Sequence, residues 1–154
     1  MKTLKKTVLL ILTIVAFLSN TQAQPALKLK THRAIKRTSI VILAAHKQVK
    51  ERKVYTGNLA RAIAHQKLAR KMFRNGMYAR AIHHSRRARM LAIMAIKSNK
   101  GTETAESKFT AEEDEIMKNS PSDDELEKEL LKEEPNASMK DEDVIKSAPD
   151  VDEK

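Results

Sequence analysis

The sequence predicts an all-α protein: a small three-helix domain containing a helical hairpin, followed by a disordered acidic C-terminal tail. Three observations carry this expectation. Apolar residues between Ile35 and Ile96 recur at helical spacing, two glycine-containing breaks at Thr56-Gly57-Asn58 and Asn75-Gly76 divide them, and the composition changes abruptly after Lys100-Gly101.

Residues 1–23 have the form of a cleavable export signal. Lys2, Lys5 and Lys6 precede an apolar run from Val8 to Leu18, and Thr21-Gln22-Ala23 offers small residues at the cleavage positions. That run is about half of the ~20 residues a spanning helix needs, so cleavage near Ala23 and export to a periplasmic or extracellular space is the expectation. Residues 24–32 read as a leader, because Pro25 and the alternating Leu and Lys give neither a cap nor a full helical period. The basic helical domain then spans 33–99. Its first helix is expected over Arg33 to Tyr55, with Thr31 as the cap and Ile35, Ile42, Ala45 and Val49 on one face. The β-branched run Ile40 to Ala45 would suit a buried strand as well, but no partner strand exists for it.

The second helix, Asn58 to Arg74, places Leu59, Ala62, Ile63, Ala69, Met72 and Phe73 on one face. The third, Met77 to Ser98, does the same with Tyr78, Ala81, Ile82, Ser85, Ala88, Ala92 and Ala95. Gly76 supplies the left-handed residue that closes the second helix. Three helices of about 20 residues make a core that seldom supplies more than ~3–5 kcal/mol without staples, and the chain has no cysteine. Met90 to Ile96 is apolar all round and must be covered on every side. Either the first helix covers it, or it seats a second copy of the chain or a membrane surface.

The turn Asn75-Gly76-Met77-Tyr78-Ala79-Arg80-Ala81-Ile82, with Ala69 before it and Ala88 after it, resembles the core of a tetratricopeptide repeat. The resemblance covers one hairpin and implies closely packed helices. A lone repeat cannot bury its own face, so the hairpin must borrow another helix.

Charge divides by position. Gln24 to Gly101 holds 20 basic residues against Glu51 alone, a net +19, whereas Thr102 to Lys154 holds 7 basic and 19 acidic residues, a net −12. Residues 102–154, with Phe109 as their only aromatic and with Pro121, Pro135 and Pro149, carry too little apolar surface to offset ordering and are expected to be disordered. Ser122 before Asp123-Asp124-Glu125 is a capping-box pattern that predicts a transient helix over 123–134.

This composition argues against an enzyme, since residues 24–101 offer five histidines but only Glu51 as an orienting carboxylate. His83, Met90 and Met94 share a helix face in the manner of a soft-metal site, but Arg86, Arg87 and Arg89 would repel a cation there; no metal or cofactor is implied. Anion binding is where the residues point. Lys67, Lys71 and Arg74 form one row, Arg80, His84 and Arg87 a second, and Arg70 and Arg86 extend them, with almost no acid to mix with. The implied partner is a polyanion or acidic protein surface: anionic lipid, lipopolysaccharide, acidic polysaccharide, nucleic acid, or the chain's own tail. Few aromatics argue against stacking on single-stranded nucleic acid. The other reading is an adaptor that packs its hairpin on a partner helix and uses motifs of the tail.

Overall fold

The computed structural model describes residues 24–151; the expected export signal at 1–23 lies outside them. Helix α1 (Lys2–Arg52), of which Gln24 to Arg52 falls within the described residues, packs on the hairpin of α2 (Asn58–Arg74) and α3 (Tyr78–Ser98). The core lies where the three meet. Val41, Ile42, Ala45 and Val49 of α1 close against Leu59 and Ala62 of α2 and against Ala88, Leu91, Ala92, Ala95 and Ile96 of α3. Thus α1 covers most of the apolar run on α3, leaving Met94 exposed at 48%. The Ile40 to Ala45 run is helical, and no strand occurs among the described residues.

Local chemistry explains the breaks. Gly76 has φ 76°, and the Met77 N–H donates back to the Met72 carbonyl at 2.9 Å, which satisfies the end of α2. At the other end of α3, Asn99 accepts from the Val54 N–H and donates to the Val54 carbonyl, pinning the first break to the last turn of the third helix.

Two expectations need correction at the N-terminal side. Residues 24–32 are helical and continuous with α1, and Thr31 is buried inside that helix instead of capping it. Its hydroxyl lies 2.8 Å from the Leu27 carbonyl and 3.3 Å from that of Tyr78. Contact with the start of α3 supplies what the leader lacks in periodicity.

The larger correction concerns residues 102–151, which are ordered instead of disordered. A 3₁₀ turn (Ala105–Ser107) leads into α4 (Ala111–Met117), α5 (Asp123–Glu133) and α6 (Asp141–Val144), all laid across the basic domain. Both longer tail helices open with a full capping box, from Thr110 to Glu113 and from Ser122 to Glu125. The tail contributes few apolar side chains, but they are well placed: Leu126, Leu130 and Val151 are buried, the last within the main core. Counter-charge on the domain supplies the rest of the ordering free energy that composition by itself lacks.

The tail also completes a helix it does not belong to. Helix α2 has no local cap, since Gly57 sits at its N-cap with φ 77° and no side chain. Buried Asp141 reaches in from α6 and accepts from the N–H groups of Thr56, Gly57 and Ala60 at 2.8, 2.9 and 2.9 Å. A carboxylate there satisfies orphan donors and meets the positive end of the helix dipole. Replacing Asp141 with Ala should therefore lower unfolding stability by about 1–2 kcal/mol in urea titration, in the range of N-cap losses. Leu130→Ala should cost about 2–4 kcal/mol as a buried truncation; an effect near zero for both would show that the tail is not part of the folded unit.

Candidate functional site: the basic face and its acidic cover

Helices α2 and α3 present the basic rows side by side, and α5 lies over them with its acids turned down. Glu127 takes two hydrogen bonds from Arg61, at 3.1 and 2.8 Å. Glu129 pairs with Arg80, and Lys71 reaches Glu133 at 3.2 Å and Glu134 at 3.5 Å. Leu130 settles between them against Leu68, Met72 and Ala81. An amphipathic helix with acids flanking its leucines thus sits on an apolar floor with cationic walls.

Beneath α5 two histidines meet. His65 and His84 are both buried, their rings stacked with Nδ1 atoms 2.9 Å apart, and their Nε2 atoms face Glu127 at 3.2 Å and Glu129 at 3.1 Å. Three such contacts call for three ring protons, whereas two neutral imidazoles carry two. Burial, then the neighbouring ring, lowers His65 to about 4, and burial likewise lowers His84. At neutral pH both are therefore uncharged, and one of the three contacts lacks its proton. Arg61 and Arg80 hold those two carboxylates in place. Burial acts to raise Glu127 and Glu129, but hydrogen bonds from the arginines and the histidines outweigh it and leave both below the usual carboxylate range. A second imidazolium would set N–H against N–H across the 2.9 Å gap.

Further along α3, Arg89 is fully buried and all five of its N–H groups find acceptors. Its Nη2 lies 2.6 Å from Glu113 Oε1 and 3.1 Å from the Ala34 carbonyl, and its Nη1 lies 3.2 Å from Glu113 Oε2 and 3.4 Å from the Lys108 carbonyl. Nε donates to Thr38 Oγ1 at 3.1 Å. Burial acts to raise the Glu113 carboxyl, yet the Arg89 hydrogen bond and the Thr110 backbone N–H hold it below its ordinary value. Phe109 lies under Arg86, 3.9 Å from the guanidinium carbon to the ring centre.

No family model, curated protein or solved structure matches the chain. Its site is read from its own geometry.

Of the eight residues expected to bind anions, the structure gives seven a tail carboxylate. Lys67 meets Glu134, Arg70 meets Asp150, Lys71 meets Glu133 and Glu134, Arg80 and His84 meet Glu129, Arg86 meets Asp114 and Arg87 meets Asp123. Of these eight, only Arg74 is exposed with no ion pair among the described residues. Sequence reasoning missed Arg61, His65 and Arg89. The signal for Arg89 was present, because it stands four residues after Ser85 and seven after Ile82 on the face that packs inward. For the suspected soft-metal set, His83 Nδ1 lies 3.3 Å from Met117 Sδ and Met94 is exposed. No three His, Asp or Glu side chains among the described residues converge as a metal site.

Two outcomes follow from these contacts. Arg89→Ala leaves Glu113 buried and unpaired and should cost about 3–5 kcal/mol, whereas Arg89→Met with Glu113→Leu should recover most of it. Chemical denaturation of the two variants distinguishes them. A histidine whose folded pKa is depressed favours the folded state above its unfolded value and loses that contribution as pH falls. Stability should thus decline as pH drops from about 6.5 toward 4, with Glu113, Glu127 and Glu129 extending the loss at lower pH. His65→Gln with His84→Gln should flatten the upper part of that profile, followed by urea midpoint against pH.

Proposed function

We propose that this is an exported, non-enzymatic binding protein whose α2–α3 face takes an anionic partner, and whose own acidic tail holds that face in the closed state. The observation that supports it best is α5, which lies on this face with Leu126 and Leu130 buried and Glu127, Glu129, Glu133 and Glu134 on cationic walls. The removable part is limited to α5 and its flanking loops. Glu113 and Asp141, anchored in buried contacts on either side, stay in place when α5 lifts, so the domain remains satisfied. On a tether of this length the tail's effective concentration is on the order of millimolar, and a partner must outbid it.

A second reading, an adaptor for acidic helices of other proteins, is favoured by the two leucine seats. A featureless polyanion would use the cations but leave those seats empty. The tetratricopeptide-like wording of the Asn75 to Ile82 turn is consistent with close helix packing in such a module and adds nothing about the ligand.

Deleting residues 102–154 would strip Glu113, Asp141 and Val151 from the fold, so the test keeps the whole tail. Replacing Glu127, Glu129, Glu133 and Glu134 with Gln should move elution from a heparin column to higher salt. Adding Arg61→Gln, Lys71→Gln and Arg80→Gln should remove most of the gain, because those cations lose their carboxylate partners in the quadruple variant. Elution of the quadruple variant at the parent's salt concentration would show that α5 does not mask the face. Binding of a synthetic peptide spanning Pro121 to Pro135 to the quadruple variant, persisting in high salt, would favour the adaptor.

A further inference from the structure

On the side of α1 turned away from the hairpin, Leu29, Arg33, Lys36, Ile40, Leu43, Lys47 and Lys50 are all exposed, spaced four, three, four, three, four and three residues apart. That spacing aligns them as one stripe, about 30 Å long at ~1.5 Å per residue. Val54 continues it just past the helix. Its aliphatic members are large and open: Leu29 is 50% exposed, Ile40 45%, Leu43 42% and Val54 44%. Its cations form no ion pair among the described residues, in contrast with the cations of α2 and α3. The tail runs along both flanks, through Arg37 to the Lys108 carbonyl on one side and His46 to the Ser147 carbonyl on the other, and leaves the stripe bare.

We infer that this stripe of α1 is a docking surface for an anionic membrane, on which the helix lies flat. Its composition decides against a helical protein partner. In a two-helix seam these positions would be apolar, and here half of them are cations that an apolar partner could not bury. An acidic helix is the other candidate, and the chain already tethers one at high effective concentration. That helix docks on α2–α3 and not on α1.

A lipid surface accommodates the mixture, because Lys and Arg reach up to phosphate head groups while Ile40 and Leu43 enter the acyl boundary. Two hollows flank the N-terminal half of the stripe and have the same character. One, of about 300 Å³, sets Lys30, Arg33 and Lys36 around Ile82 and Ile116, with Glu112 and the Arg89-paired Glu113 also on its wall. The other sets Lys28 beside Leu29, Pro25 and Phe73. Among the described residues no helix is long and apolar enough to cross a membrane.

The test uses the chain from Gln24 to Lys154 and vesicles of phosphatidylcholine with or without phosphatidylglycerol. The protein has no tryptophan, so Leu43→Trp provides a single reporter. Its emission should shift to the blue, and brominated acyl chains should quench it, only when phosphatidylglycerol is present. Lys36→Glu with Lys47→Glu should weaken partitioning by about tenfold or more. Ile40→Ser with Leu43→Ser, measured by co-sedimentation, should weaken it several-fold while circular dichroism stays unchanged. Lys128→Gln with Lys132→Gln, exposed on α5 and outside both the stripe and the α2–α3 rows, should leave it unaltered, so a loss seen only in the stripe variants is specific to α1. Equal binding by the stripe variants and the parent would overturn the inference. So would capture of the Pro121 to Pro135 peptide by the stripe with no vesicle binding.

Discussion

The pairing of Arg89 with Glu113 constrains everything else in this molecule. A guanidinium at the centre of a three-helix core is tolerable only with its charge matched and its donors filled, and no acid in the basic domain stands where it could do so. Thr38 and Ala34 supply acceptors from α1, but the counter-charge comes from α4, in the tail. The acidic segment is therefore part of the fold. A three-helix domain without it would hold an unpaired buried charge, for which the penalty is several kcal/mol, comparable with the whole stability of so small a core.

From that anchor the remaining tail contacts divide by energy. Exposed pairs such as Lys97–Glu103 or Lys67–Glu134 contribute on the order of 0–1 kcal/mol each and weaken with salt. Buried leucines contribute roughly 1.5–3 kcal/mol each, and a buried cap such as Asp141 about 1–2. The tail is thus fastened at a few places, Glu113, Leu126 with Leu130, Asp141 and Val151, and only guided elsewhere by charge. Between the Glu113 and Asp141 fastenings, α5 is held by its two buried leucines together with its ion pairs to Arg61, Lys71 and Arg80 and its contacts with the two histidines.

The basic charge of the domain consequently has two fates. On α2 and α3 it is largely neutralised by the chain itself, and its density is what gives an acid-rich segment of low hydrophobicity a reason to order. On the outer face of α1 it meets no counter-charge among the described residues and is interleaved with aliphatic side chains. A single figure for net charge averages these two surfaces and describes neither.

The residues alone predict the helices with some accuracy. Helix α2 runs from Asn58 to Arg74 as expected, α3 begins one residue late at Tyr78, and the capping box at Ser122 opens α5. These features depend on local periodicity, on Gly76 and on short-range hydrogen bonds, all of which are written in neighbouring residues. The eight anion-binding candidates were also legible, as rows of charge. What they face was not. Whether Glu127 meets Arg61, whether Asp141 caps a helix 80 residues earlier, and whether Arg89 points into the core or out of it depend on contacts between distant segments. Composition judged the tail by its own apolar content and so expected disorder. The folded chain orders it because complementary charge and three buried aliphatics come from the tail acting on a surface that only tertiary packing assembles.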